Sequence, residues 1–524
     1  MKILWLACAL AIPAAAQTYT IAGVVTDVFR AKPLERAHVT LVGPKSEKAA
    51  VITGADGRFS FEVPAGKYTL EAEHNGWRIR FGNPEPTEGF GSAIIAGPGQ
   101  QTGRLAFRWY APGAVFGRVV DETGEPVRDA AVQLIRDGVT RGRRQVIPVR
   151  NTKTDDRGDY RFGPVAAGTY YVVATGQPWH MRGTLGAALG ATGPRPPAPA
   201  YPPTYYPGAT DSRDAAILTV QSGGEVRADI PLRATTGATV RVRCPGSGLE
   251  DEACQGIPTF SLHGIGGVEV HTPEDYDYAT HSFSGVAPGR YTLHAVAWVK
   301  EAYKEVYKVV DVGPGEFTFD LTMQPPALIA GNVTFKNPLP ARAREYIALA
   351  NETTGASIGG EIAADGTFAM YLGGARFRVG LYGSVPLAIA QLSADGAPVK
   401  DGVVDVTESA EVHLKILASD EMGRVKGFAM NGDQPAPAVM VVLAPAAGSG
   451  NPADYSGYQT ESDGSFDYLR VPVGDYLLFA ADRLDLEFTN PDVIRPYLQS
   501  ATPVHIALRA IVDQRVAVTA AARN

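Results

Sequence analysis

The sequence predicts an all-β protein: a tandem array of about five immunoglobulin-like or prealbumin-like β-sandwich domains following a signal peptide. Three observations predict it. The stretch Asp56-Gly57-Arg58-Phe59-Ser60-Phe61-Glu62-Val63 sets apolar Phe59, Phe61 and Val63 against polar Arg58, Ser60 and Glu62 after a tight-turn dipeptide. That is the period-2 pattern of a half-buried strand. Pro64-Ala65-Gly66 then turns the chain into a second alternation, with Tyr68, Leu70 and Ala72 facing in, and this grammar returns in most later segments. Composition is the second observation: 58 Gly and 39 Pro exceed the usual share of about 12%, while charged residues at 20% fall below the typical quarter. The third is length, because 524 residues exceed what one core holds and a sandwich takes about 100.

Taken in order, residues 1–16 carry one lysine, an apolar run from Ile3 to Ile12 and Ala14-Ala15-Ala16 before Gln17, the pattern of a secretory signal peptide. The run is too short for a membrane span, which needs roughly 20 apolar residues, and no later stretch supplies one. Residues 17–110 form the first domain: an opening strand near Ile21-Ala22-Gly23-Val24-Val25, an alternation after Pro33 through Leu34, Ala37, Val39 and Leu41, and then the Asp56-Gly57 turn, expected as a hairpin. Residues 111–234 repeat the order, with Pro126, Val127, Ala130, Val132 and Leu134 each 93 positions beyond their counterparts. Residues 235–323 are divergent, keeping Pro288-Gly289-Arg290-Tyr291 without a clean Asp-Gly turn. Residues 324–416 show Asp365-Gly366-Thr367-Phe368, and residues 417–524 restore Asp463-Gly464-Ser465-Phe466 and Pro472-Val473-Gly474-Asp475-Tyr476. Prolines at Tyr110-Ala111-Pro112-Gly113 and Met323-Gln324-Pro325-Pro326 stiffen the junctions, so a string of sandwiches with a limited range of angles is expected.

Gly-x-Val, then Pro with Ala-x-Val-x-Leu, then Asp-Gly-x-Phe-x-Phe, then Pro-x-Gly-x-Tyr resembles the carboxypeptidase regulatory-like domain of bacterial secreted proteins. The resemblance implies a transthyretin-like sandwich of about seven strands, related to collagen-adhesin B-type repeats and starch-binding-like modules. It also implies a non-catalytic module, since the shared residues are turns and cores. Adhesin-type repeats join a Lys of the first strand to an Asn of the last; here only Lys426 stands in a first strand, and it reads as a solvated lysine.

Candidate sites are few. An insertion at 176–211 carries Trp179, a proline cluster at 194–199, and Tyr201, Tyr205 and Tyr206. Long insertions in compact domains usually carry function or lack order. These four aromatics are either a displayed ligand-binding surface, as for sugar stacking, or a cover packed on a sandwich. Cys244 and Cys254, the cysteines left once Cys8 goes with the signal peptide, bracket Pro245-Gly246-Ser247-Gly248 and are expected to form a disulfide after export.

His263, His271, His281 and His294 share the third domain, and Glu269 alternates with His271 beside Glu274-Asp275-Tyr276-Asp277. The spacing fits no standard metal pattern, so no metal is assigned. Arg157-Gly158-Asp159 reads as a turn. No nucleophile elbow, metalloprotease helix, P-loop or dinucleotide fingerprint occurs, and neither a catalytic residue nor a cofactor is assigned. A net charge of −7 disfavours nucleic acid. The expected function is therefore a secreted, non-catalytic interaction scaffold in the periplasm, at the outer surface or outside the cell. Its expected partners are envelope proteins or polysaccharide, and the alternative reading is a carbohydrate-binding protein.

Overall fold

The computed structural model describes residues 17–83, 91–177, 199–243, 259–263, 269–271, 276–277, 282–299, 302–321, 327–353 and 355–520. Of the described residues 59% are strand and 3% helix, so the all-β expectation holds. In the first sandwich the opening strand Thr18–Asp27 lies between Arg58–Pro64, antiparallel, and Leu105–Trp109, parallel. The facing sheet is built from Lys48–Ile52, His38–Val42, Gly66–His74 and Trp77–Arg80, with Ile94–Ala96 on the far end of Gly66–His74. Phe59, Phe61, Val63, Tyr68, Leu70 and Ala72 all point into the core between the sheets, as their alternation predicts.

The Asp-Gly turn is corrected from a hairpin to a crossing. It joins Lys48–Ile52 in one sheet to Arg58–Pro64 in the other. Its glycine answers to the opening strand instead of a two-residue loop: Gly57 has φ +66°, and a Cβ there would stand 2.6 Å from the Val25 carbonyl oxygen. The Val25 amide donates to the Gly57 carbonyl at 2.9 Å, and the Asp56 carboxylate accepts from the Arg58 amide at 3.1 Å. The same amide-to-glycine bond recurs as Val119 to Gly158, Val333 to Gly366 and Ala429 to Gly464. An Asp-Gly signal thus marks a change of sheet, held against the first strand by a residue with no side chain.

The Pro-x-Gly-x-Tyr element is also a sheet crossing, and it is a tyrosine corner. The hydroxyls of Tyr68, Tyr170, Tyr291 and Tyr476 donate to the carbonyls of Pro64, Ala166, Ala287 and Pro472, four residues back in each case. The glycine two residues before each tyrosine leaves room for the ring, since a Cβ on Gly66 or Gly289 would sit 3.3 Å from it. In the fourth sandwich Phe377 takes this place.

The opening Gly-x-Val has its own cause. A Cβ on Gly23, Gly117 or Gly331 would fall 2.0–2.4 Å from a carbonyl oxygen of Leu105 or Leu414 in the closing strand, or of Ala228 between the two short closing strands of the second sandwich. Only glycine lets the parallel closing strand approach so near.

Further sandwiches follow the same plan. Gly113–Val120 pairs with Asp159–Val165 and Glu225–Arg227; Ala238–Arg243 with Ser282–Val286 and Glu316–Asp320; Ala327–Phe335 with Thr367–Leu372 and Glu411–Ser419. Met422–Asn431 pairs with Ser465–Pro472 and Ile511–Thr519, and this last strand also reaches Gly474–Ala481. Beside the last core lies a second cluster, where Phe488, Ile494 and Tyr497 pack on Met440 and Phe479. Ile494 and Tyr497 belong to the helix Pro491–Leu498, capped by the Asn490 side chain.

The expected string of sandwiches is corrected to a chain that returns on itself. Residues of the last sandwich contact both the first and the second. Thr489 donates through its hydroxyl to the Gly142 carbonyl at 2.7 Å, and the Phe488 ring covers Gly142. Arg144 pairs with Glu487 at 2.5 Å. Between the fourth and the last, Arg378 donates to the Asn451 side chain at 2.7 Å. Turn and core signals carry no information about such contacts, because most of the residues that make them, Arg144, Arg378, Asn451, Glu487 and Thr489, read as polar surface positions in any one sandwich taken alone.

Candidate functional site

Two places between sandwiches have the geometry of sites. The first is a seam joining the first sandwich to the last. The Glu461 side chain is 7% exposed, with one carboxylate oxygen on Lys67 and the Tyr458 hydroxyl and the other accepting from the Ala93 amide. The Ser462 amide donates to the Ala93 carbonyl at 3.0 Å, and the Ile95 amide to the Ser462 hydroxyl at 3.2 Å. Ser92 donates to the Thr460 carbonyl at 2.8 Å, and the Gln459 amide to the Gly82 carbonyl at 2.8 Å. Ser92, Ala93, Gln459, Thr460 and Glu461 are all buried. The Gln459 side-chain oxygen is without a protein partner among the described residues.

Electrostatics follow the geometry. Burial pulls the Lys67 ammonium down, but its hydrogen bonds to Glu461 and Tyr458 outweigh that, and its pKa is raised. The Tyr458 phenol is pushed up to about 12, by burial first and then by the hydrogen bond to Glu461.

The second place is a cleft of about 450 Å³ between the second and third sandwiches. That is within the range of ligand pockets, roughly 300–1,000 Å³, which favour such junctions. Pro202, Pro203 and Tyr205 form one wall, the tyrosine corner at Pro288–Tyr291 the other, and Arg233 lies between them. Arg233 is exposed and makes no ion pair among the described residues, and Arg290 reaches Asp311 only at 3.7 Å. Asp211, also in the lining, is held down at about 2 by hydrogen bonds from Arg213.

The insertion reaches this cleft, but its rings are packed more than displayed. Tyr205 is buried in the short strand Thr204–Tyr205, which adds to the edge of Gly168–Thr175 and sets the ring on Ile135 and Val173. Tyr201 is 8% exposed, joins the core of the second sandwich, and donates its hydroxyl to Glu122 at 3.0 Å. Tyr206 is half-buried on the same core. Tyr201 and Tyr205 are thus nearly covered, with Tyr205 also lining the cleft.

Trp179, Cys244 and Cys254 lie outside the described residues, as does His281, and so do the side chains of His263, Glu269 and His271. His294 stacks on Tyr307 with ring centroids 4.3 Å apart. Gly158 of Arg157-Gly158-Asp159 is a sheet-crossing glycine, and Asp159 is held by Arg118 at 2.7 Å. Lys426 lies 3.6 Å from Asp513. Sequence reasoning missed the seam. Glu461 and Lys67 are 394 positions apart, and Glu461 itself reads as one more polar residue before an Asp-Gly turn.

These sheets and seams define a class: multi-sandwich β-proteins whose recurring residues are turn and core positions. Residues 20–81 and 114–184 match the family model of the Carboxypeptidase regulatory-like domain. The resemblance read from the motifs is thereby shown for the first two segments. No curated protein matches the sequence.

Among solved structures the chain is similar to the Bacillus anthracis TIE protein, at 8% identity over 97% of this chain and 76% of that one, with a TM-score of 0.17. It is also similar to GBS52, the minor pilin of Streptococcus agalactiae, at 13% identity over 41% and 96% of the two chains, with a TM-score of 0.22. BcpA, the major pilin subunit of Bacillus cereus, matches at 12% identity over 54% and 98%, with a TM-score of 0.15. No helix among the described residues is long and apolar enough to cross a membrane.

Proposed function

We propose that the protein is an exported, non-catalytic interaction scaffold of the bacterial envelope or exterior, which holds several sandwich surfaces at fixed positions for a protein partner. The observation that carries this reading is the buried Glu461 seam. A spacer gains reach from an open string. A chain that buries a carboxylate and several backbone groups to bring its last sandwich back to its first gives up reach and gains fixed geometry. Export rests on the signal-peptide pattern of residues 1–16, and with export goes a disulfide between Cys244 and Cys254, which free-thiol titration of the unreduced protein tests.

A zero-length carbodiimide cross-linker, which joins an amine to a carboxylate, should link Lys67 to Glu461 in the purified protein. Cross-linking in the native envelope should recover one consistent protein partner, and the Glu461→Gln, Lys67→Met double variant should lose it. Scattering from an extended string, or turnover of a substrate by the purified chain, would overturn the reading.

A further inference from the structure

The outer face of the fourth sandwich carries an aromatic platform that neither the motifs nor the insertion pointed to. Glu345–Asn351 lies between Ser357–Glu361 and Arg376–Gly383, and its even-numbered residues face outward while Ile347 and Leu349 face the core. Three outward rows therefore cross the three strands. The first is Glu361, Tyr346 and Tyr382; the second is Gly359, Ala348 and Gly380; the third is Ser357, Ala350 and Arg378.

The middle row is a floor almost without side chains, roughly 10 Å across at the usual strand spacing of about 4.8 Å. Tyr382 uses it. Its hydroxyl comes within 2.4 Å of where a Cβ on Gly359 would stand, so the ring reaches from its own strand over the central one to the strand beyond. Tyr346 stacks beside it, with centroids 5.2 Å apart and planes 17° from parallel. Tyr382 nevertheless stays 50% exposed. Neither hydroxyl has a hydrogen-bond partner among the described residues. On the far side of the floor Arg378 is fixed by a two-pronged bond to Glu352, at 3.0 and 2.9 Å, and on the near side stands exposed Glu361.

We infer that this platform binds a neutral pyranose of a polysaccharide, stacked on Tyr382 and hydrogen-bonded by the flanking polar groups. A cross-strand aromatic pair on its own explains the Tyr346–Tyr382 contact. It does not explain a tyrosine carried over a glycine floor with half its surface open.

Size and charge choose among occupants. A specific protein interface takes about 800 Å² from each partner and keeps charge out of its centre. Here the apolar area is two rings, closed in by Glu361 on one side and the Arg378–Glu352 pair on the other. A sugar ring needs no more than that: one flat face for its C–H groups, and fixed donors and acceptors at the edge for its hydroxyls. Acidic sugars are disfavoured by Glu361, by the pairing of Arg378 with Glu352 and by the chain's net charge of −7.

The inference is independent of the scaffold reading, and its test separates the two. The purified chain should be retained by at least one neutral polysaccharide among glucans, mannans and xylans, and not by polygalacturonate. Tyr382→Ala should weaken retention at least tenfold, Gly359→Ala should weaken it by displacing the ring, and Tyr382→Trp should hold or strengthen it. Glu461→Gln, at the distant seam, should leave it unchanged. If Tyr382→Ala lowers the melting midpoint, the Gly359 and Trp variants decide. Absence of retention on every neutral polymer, equal retention on polygalacturonate, undiminished retention by Tyr382→Ala, retention by Gly359→Ala within twofold of the unchanged protein, or loss of retention by a folded Tyr382→Trp would overturn the proposal.

Discussion

The seam and the cleft are both junctions between sandwiches, yet they are built in opposite ways. Sandwiches furthest apart in the chain, the first and the last, meet through buried residues whose polar groups are nearly all paired. The second and third, joined directly by the chain and by the two-residue ladder of Pro199–Ala200 with Thr235–Thr236, leave a cleft of about 450 Å³ lined by an arginine that makes no ion pair among the described residues. Covalent neighbours stay together without contact energy, so their junction is free to remain open. A contact between distant segments has to overcome loop-closure entropy, and it persists only if it is well made. The difference teaches that closure of the seam is specified side chain by side chain, while the cleft is held open beside a short backbone ladder.

The largest effect should come from breaking the closed side. Glu461→Ala leaves the Ala93 amide buried without an acceptor and removes the carboxylate from Lys67. Deleting one partner of a buried pair costs about 3–5 kcal/mol, and because Lys67 is half exposed a loss of about 2–3 kcal/mol is expected for the closed arrangement. Small-angle scattering should show a larger radius of gyration, and the Ala93 and Ser462 amides should exchange hydrogen faster; an unchanged radius contradicts the seam. The same contact sets a pH dependence. Lys67 and Tyr458 both have raised pKa values, so their contribution is fully present below their unfolded values near 10 and is lost as pH rises through the folded ones. Alkaline titration should therefore open the seam between about pH 10 and 12.

Next in size is the contact of the last sandwich with the second. Gly142 has φ +75°, and a Cβ there would lie 2.6 Å from the Phe488 ring; Gly124 has φ +87° and nothing within 4 Å. Both alanine substitutions carry the left-handed backbone cost of about 1 kcal/mol. Only Gly142→Ala adds a clash, so it should cost about 2 kcal/mol or more by thermal or chemical unfolding. Equal costs at the two positions would show that Phe488 does not hold this junction.

Much of the fold was legible in residues 55–72, and the reason is local. Alternation puts Phe59, Phe61, Val63, Tyr68 and Leu70 inside whatever the partner strands are. What those turns connect was not legible. Asp56-Gly57 reads as a hairpin because a positive φ serves a hairpin and a sheet crossing equally well, and the Val25 carbonyl that selects the crossing is about 30 residues away. The site was less legible still. Tyr201 and Tyr205 look like a displayed aromatic cluster until Glu122 and Val173 are brought to them, and Tyr346 and Tyr382 look like ordinary strand residues until Gly359 is placed beneath one of them.

A smaller effect tests how much the recurring corner contributes. Tyr68→Phe removes one hydroxyl bond to the Pro64 carbonyl and leaves the ring in place over Gly66, so a loss of about 1 kcal/mol is expected in the first sandwich. The fourth sandwich already carries Phe377 at the equivalent corner, so Phe377→Tyr should gain stability only if the Gly373 carbonyl stands where the carbonyls of Pro64, Ala166, Ala287 and Pro472 stand. Hydrogen exchange at the corner amides measures both.

The smallest expected effect lies on the open side of the comparison. Arg233→Ala removes an exposed side chain at the base of the cleft that has no ion pair among the described residues, so stability should change by less than about 0.5 kcal/mol. A structural joint cannot behave this way, because removing a group that held the second and third sandwiches together would cost as much as Gly142→Ala. The measurement is a melting midpoint for each variant together with scattering of the whole chain. If Arg233→Ala instead expands the chain as Glu461→Ala does, the cleft is a second seam, and the contrast between a closed junction and an open one falls.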